Sequence, residues 1–71
     1  MKNKLPFKTL HRMMKENSDE YKIGYDAVTQ LDYFLESVII NVAVMSKDYA
    51  EHCGRKTINS DDVNYAIAML F

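Results

Sequence analysis

The sequence predicts an all-α fold in which a short helix, a long central helix and a second short helix follow one another. Three observations predict it. Apolar residues recur at helical spacing in three segments. Two breaks, one polar and one marked by glycine, separate those segments. Two glycines and one proline among 71 residues leave little material for tight β-turns. No repeat, low-complexity tract or linker interrupts the chain, so residues 1–71 read as a single domain.

The first helix is expected over about residues 6–16. Pro6 suits its first turn, where a missing N–H is no loss. Phe7, Leu10 and Met14 recur at i, i+3 and i+7 with Met13 widening the stripe, while Lys4, Lys8, Arg12 and Lys15 line another face. Asn17-Ser18-Asp19-Glu20 ends the pattern, because such side chains bond to nearby backbone and favour loops.

The central helix is expected over about residues 25–53, with Asp26 in its first turn and Gly54 placed to terminate it. A helix of that length is a rod of about 43 Å, whereas a compact chain of this size has a radius of gyration near ~11 Å. Val28, Leu31, Leu35, Val38, Val42, Met45 and Tyr49 form one stripe; Ala27, Phe34, Ile40, Ala43, Val44 and Ala50 are apolar away from it. A helix apolar on several faces must be covered on several sides. Two short flanking helices cannot do this, so a second copy or a homologous chain has to supply the rest. The core of that pairing is assigned to Leu31, Phe34, Leu35, Val38, Val42 and Met45.

The third helix is expected over about residues 60–70. Asn59 precedes it, Asp62 follows three residues later as in a capping box, and Val63, Ala66, Ile67 and Leu70 give the apolar face. The β-branched Thr57-Ile58 suits a short extended piece between the glycine and this helix.

Composition narrows the function classes. A chain this short hides only about 60% of the surface its unfolded form exposes, and needs help from disulfides, a metal or a partner. One cysteine forms no internal disulfide, and two histidines with one cysteine cannot fill a structural zinc site. The lone thiol and the lack of an apolar run behind Lys2 and Lys4 fit a reducing, intracellular setting. At 27%, the charged residues argue against a membrane span, and 48% apolar residues argue against disorder. The formal net charge of −1 hides an asymmetry. Residues 1–24 hold Lys2, Lys4, Lys8, Arg12, Lys15 and Lys22 against three acids, while residues 25–54 hold Lys47 against five. No glycine-rich phosphate loop, paired acids or metal spacing supports catalysis, so no catalytic residue, metal or cofactor is expected.

The run Gly54-Arg55-Lys56-Thr57-Ile58, followed by Asp61-Asp62-Val63 and Ala66-Ile67, resembles the second loop and third helix of histone-fold proteins, above all archaeal histones. Leu5-Pro6, Arg12-Met13-Met14-Lys15 and Ile23-Gly24-Tyr25-Asp26-Ala27 are similar to the start of that family and to the opening of its central helix. The resemblance spans about residues 5–70. It implies an intertwined handshake dimer in which paired first and second loops hold DNA phosphates. It further implies DNA contacts by Arg12, Lys22, Lys56 and Thr57, with Lys22 standing where arginine is usual; Lys8 and Lys15 on the basic face of the first helix and Arg55 in the second loop are expected to join them. Arg55 and Asp62 match the pair that clamps the second loop to the third helix, and Tyr49, His52, Asp62 and Tyr65 match positions that join dimer to dimer.

Each of these readings has a plainer rival. The lysines and Arg12 could form an ordinary solvated face, and His52 a plain surface histidine. Cys53 reads as a small packing residue, and Met13, Met14 and Met45 as core fillers. Tyr21 and Tyr25 could rest against DNA sugars or against a partner loop. The expected function is binding of double-stranded DNA without sequence preference, as a homodimer or a tetramer or filament, to compact, wrap or bridge the duplex. Its place would be cytoplasmic, on the chromosome, or nuclear in a eukaryote, with no small-molecule substrate and no membrane partner. The alternatives are membership of a heterodimeric transcription-factor or kinetochore complex, or a storage or decoy homologue.

Overall fold

The structure is a computed structural model that describes residues 5–71. Lys2 and Lys4, counted above among the basic groups, lie outside the described residues. Three helices follow in order: α1 (Phe7–Glu16), α2 (Tyr25–His52) and α3 (Ser60–Leu70). The short–long–short order read from the sequence is the order observed. No strand occurs among the described residues, so Thr57-Ile58 is irregular rather than paired. The chain divides into two compact units, one up to Ser37 and one from Val38.

In the first unit, Pro6 stands just outside α1, at its N-cap, with ψ 117°. Its carbonyl accepts the Leu10 N–H at 3.2 Å. Leu10 and Val28 are buried, and Phe7 stacks on Tyr25 with ring centroids 5.0 Å apart. These contacts hold α1 against the first turns of α2. Asn17 and Ser18 donate their side chains back to the Met13 and Met14 carbonyls at 2.8 and 2.6 Å, which spends the last turn of α1 on a local cap. Asp19 then adopts a left-handed conformation (φ 55°), one that a short polar side chain tolerates. Met13, expected as core, is exposed.

In the second unit, α2 ends in a Schellman motif. Gly54 N–H reaches the Glu51 carbonyl at 3.0 Å and Arg55 N–H the Ala50 carbonyl at 3.0 Å. That geometry needs a left-handed residue, and Gly54 supplies it at φ 73°. Cys53, read as a packing residue, is exposed because it occupies the last turn before this reversal. Asn59 caps α3: its side chain accepts from the Asp61 and Asp62 N–H groups, while the Asp62 carboxylate accepts from Asn59 N–H at 2.8 Å. Ala50 and Ala66 are buried, and Tyr49 stacks on Tyr65 at 4.2 Å, so α3 lies close on the last turns of α2.

The central stretch of α2 is left open. Phe34 is 58% exposed, Ile39, Ile40 and Val44 are exposed as well, and Leu31, Leu35, Val38, Val42 and Met45 are half-buried. By length and hydropathy this helix is apolar enough to cross a membrane. The charged fraction of the whole chain therefore does not exclude a span, because most of that charge stands outside the middle of α2.

Candidate nucleic-acid interface

All seven side chains expected at DNA come from α1 and the two loops, and the structure sorts the set by what each is already bonded to. Lys8, Lys22 and Lys56 are exposed, and no hydrogen bond or ion pair engages their ammonium groups among the described residues. Arg12 pairs with Glu16 one turn on at 3.3 Å, on a surface where both stay well solvated. Such a pair holds the guanidinium weakly and leaves it available for exchange with a stronger anion. Lys15 donates to the Tyr21 carbonyl at 2.7 Å, which ties the first loop back onto α1. Its role is thus partly architectural, a feature that residue spacing gives no means of seeing.

The second loop is built around Asp62. This carboxylate has no exposed surface, yet it is fully satisfied. One oxygen accepts from Arg55 Nη2 at 2.7 Å; the other accepts from Arg55 Nη1 at 2.8 Å and from Asn59 N–H at 2.8 Å. A planar guanidinium meeting a carboxylate in this bidentate fashion fixes orientation as well as distance. Arg55 Nη1 also donates to the Thr57 carbonyl at 3.1 Å. The guanidinium therefore spans the loop and holds Lys56 and Thr57 on its outer side, both exposed. On the inner side, Ser46 Oγ donates to the Asp62 carbonyl at 3.4 Å. The charges answer this geometry. The Arg55 hydrogen bonds, seconded by the Asn59 N–H, hold the Asp62 carboxyl down at about 2 against the opposing effect of burial. The same hydrogen bonds to Asp62 drive Arg55 further above its already high value.

Within this chain the Arg55 guanidinium, expected above at DNA, is bonded to Asp62 and the Thr57 carbonyl. Asp62, expected above between dimers, is enclosed with both oxygens engaged. Of the other residues in that group, Tyr49 and Tyr65 stack on each other, and His52 is exposed in the last turn of α2.

Beside the loop, Lys47, Ala50, Glu51, Arg55, Lys56 and Ile58 line a recess of about 350 Å³. An apolar groove of about 330 Å³ runs along Val38, Ile39, Val42, Ala43, Ser46, Ile58 and Val63. Lys47 was not among the expected contacts, since its place on the acidic central helix disguised its proximity to the loop. No group of three or more histidine, cysteine or acidic side chains among the described residues is arranged to hold a metal ion.

Residues 3–67 match the family described as histone-like transcription factor (CBF/NF-Y) and archaeal histone. The chain is also similar to one of the subunits of the archaeal histone HAN1 of Thermococcus zilligii, at 32% identity over 63 residues, which cover 89% of this chain and 92% of that protein. The matched residues take in α1, α2, both loops and α3 as far as Ile67. Helix order, the Arg55–Asp62 clamp and these two matches lead to one conclusion: the chain belongs to the histone-like transcription factor (CBF/NF-Y) and archaeal histone family, whose archaeal histones are not enzymes.

Proposed function

We propose that this protein is an architectural DNA-binding protein of the chromosome, holding double-stranded DNA by its backbone without reading base sequence. The observation that carries this reading is the second loop, where a part-buried ion pair supports an exposed, unpaired Lys56 and an exposed Thr57. Lys8 and Lys22 offer two further unpaired cations, and Arg12 a loosely paired one. Lysines and arginines placed at phosphates bind through counterion release, whatever the sequence. No helix rich in Arg, Asn or Gln offers side chains to base edges in a groove.

The open face of α2 supports a second part of the proposal: the working unit is a histone-fold dimer formed across Leu31, Phe34, Leu35, Val38, Val42 and Met45. In that pair each loop set is doubled, and Lys22 and Lys56 from two chains share one ridge. Tyr49, His52 and Tyr65 then form the edge through which dimers join into tetramers or chains that compact, wrap or bridge the duplex.

Band-shift titration with random-sequence duplex at rising salt tests the DNA reading. Complexes form at low salt and weaken in proportion on a log–log plot. Absence of binding at low salt, or indifference to salt, overturns it.

A second reading is favoured by the Thermococcus zilligii relative being named as a subunit, and by the near-neutral charge of this chain. On that reading the protein is one half of a heterodimer, and gripping a homologous chain is its main task. Purification without a partner separates the two: a soluble homodimer supports the first, and an aggregate rescued by a homologous chain supports the second.

A further inference from the structure

Three aromatic rings of the first unit form a stacked set. Phe7 stacks with His11 at 6.1 Å and with Tyr25 at 5.0 Å, the planes lying 21° and 27° apart. Tyr25 is nonetheless 74% exposed, so the ring face turned away from Phe7 is open to water. Tyr21, four residues earlier, is 77% exposed on a backbone held at both of its polar groups. Its N–H donates to the Ser18 carbonyl at 3.0 Å, and its carbonyl accepts from Lys15 at 2.7 Å. Four residues of chain span at most about 14 Å. Both tyrosines therefore lie within reach of one short strand of roughly four nucleotides at about 3.4 Å each.

Cations accompany the rings. Phe7 and His11 are one turn apart on α1, each just ahead of Lys8 and Arg12, so a ring row and a cation row take neighbouring faces of the helix. Lys8 and Lys22 are exposed, and no hydrogen bond or ion pair engages their ammonium groups among the described residues. Charge alone is a weak hold here, since residues 5–26 set Lys8, Arg12, Lys15 and Lys22 against Glu16, Asp19, Glu20 and Asp26. A ligand that adds stacking to phosphate contact is favoured. An intact duplex adds little, because its bases already stack on one another and present only edges. An unpaired strand offers base faces, and stacking on an aromatic side chain tolerates any base.

Going beyond the duplex reading and independent of it, we infer that the first unit is a binding site for unpaired DNA. Tyr25 and Tyr21 stack its bases, Lys8 and Lys22 meet its phosphates, and Phe7 is a positioning residue that fixes the plane of Tyr25. The loop favours DNA over RNA. Asn17 and Ser18 donate their side chains to the Met13 and Met14 carbonyls, and residues 17–24 hold no other neutral amide or aliphatic hydroxyl to offer a ribose 2′-hydroxyl.

The test titrates the full chain with a thymidine oligomer of about 12 nucleotides, a uridine oligomer of equal length and a random-sequence duplex. Affinity is read from the anisotropy of the labelled nucleic acid, and stacking from tyrosine emission, which no tryptophan masks. The thymidine oligomer should quench that emission and bind with a shallower salt slope than the duplex. Tyr25→Leu should weaken thymidine binding about tenfold and remove part of the quenching, whereas Tyr25→Phe keeps the affinity. Tyr21→Ala should act in the same direction, and each loss should exceed that for duplex. Tyr21 is exposed in a loop, so its variant decides alone should Tyr25→Leu fail to fold. Absence of quenching, or thymidine binding that both variants leave unchanged, overturns the inference and leaves the duplex reading standing. Tighter binding of the uridine oligomer overturns the assignment to DNA. Single-strand binding that persists where duplex binding is absent supports the inference while the duplex reading fails.

Discussion

Asp62 shows how one side chain can join secondary structure to function. The same carboxylate closes the cap of α3 and anchors the arginine that shapes the second loop, so its protonation should undo both. Its native value near 2 lies below the ordinary aspartate range near 4, which makes the sign of the effect definite. Above about pH 4 the carboxylate is ionised in both folded and unfolded chains, and its contribution is complete. Between about pH 4 and pH 2 the unfolded chain takes up a proton that the native chain refuses, so stability falls as the pH falls. Thermal melts at stepped pH should show a gap between the native chain and Asp62→Asn that is constant from neutrality to about pH 4. The gap should close towards pH 2. The exposed lysines call for a different measurement. Lys56→Ala and Lys22→Ala should each weaken binding about equally on all DNA sequences and lower the slope of log affinity against log salt by about 1 for each phosphate no longer engaged. Arg55→Lys should weaken binding even though the positive charge is kept, because a lysine cannot span two carboxylate oxygens and the Thr57 carbonyl.

At the scale of elements, the helix ends carry most of the local information. Asn59→Ala removes a side chain that accepts from two N–H groups and should cost about 1 kcal/mol, read from urea titrations. Gly54→Ala places a Cβ on a left-handed residue and should cost about 1–2 kcal/mol, although nothing lies near enough to clash with it. These ends are also where the sequence is most legible. Gly54, Asn59 and Asp62 are residue types whose backbone preferences act over two or three neighbours, so their geometry follows from local chemistry. The side-chain partners are less visible. Lys15 bonds a carbonyl six residues away, and Ser46 bonds one sixteen residues away. Neither distance follows a helical period, because both are set by where a loop happens to return. Methionine placement also escapes the pattern: Met13 shares the amphipathic spacing of α1 but falls at the margin of its stripe, where ten residues of helix offer too little neighbour to cover it.

For the whole molecule the governing quantity is apolar surface that one chain does not cover. The stripe from Leu31 to Met45 is legible from spacing alone, and the structure leaves it half-buried or exposed. What spacing could not reveal is that Asp32 and Glu36 each bury one carboxylate oxygen without a hydrogen-bond partner, since an acidic residue on a helix is by default taken as solvated. If folding and pairing are one event, the melting temperature rises with protein concentration. Val42→Asp should remove both that dependence and most of the cooperative transition, because it sets a charge in the middle of the proposed seam.

The stacked Tyr49 and Tyr65 have a practical consequence. With no tryptophan in the chain, near-ultraviolet optical activity arises from its other aromatic rings, mainly tyrosine. Two phenol rings 4.2 Å apart couple their transitions strongly, and the pair persists only while the last helix is docked. The molecule thus carries a built-in optical gauge of its carboxyl-terminal half. Undocking of that helix can be followed separately from loss of overall helicity, without attaching a dye.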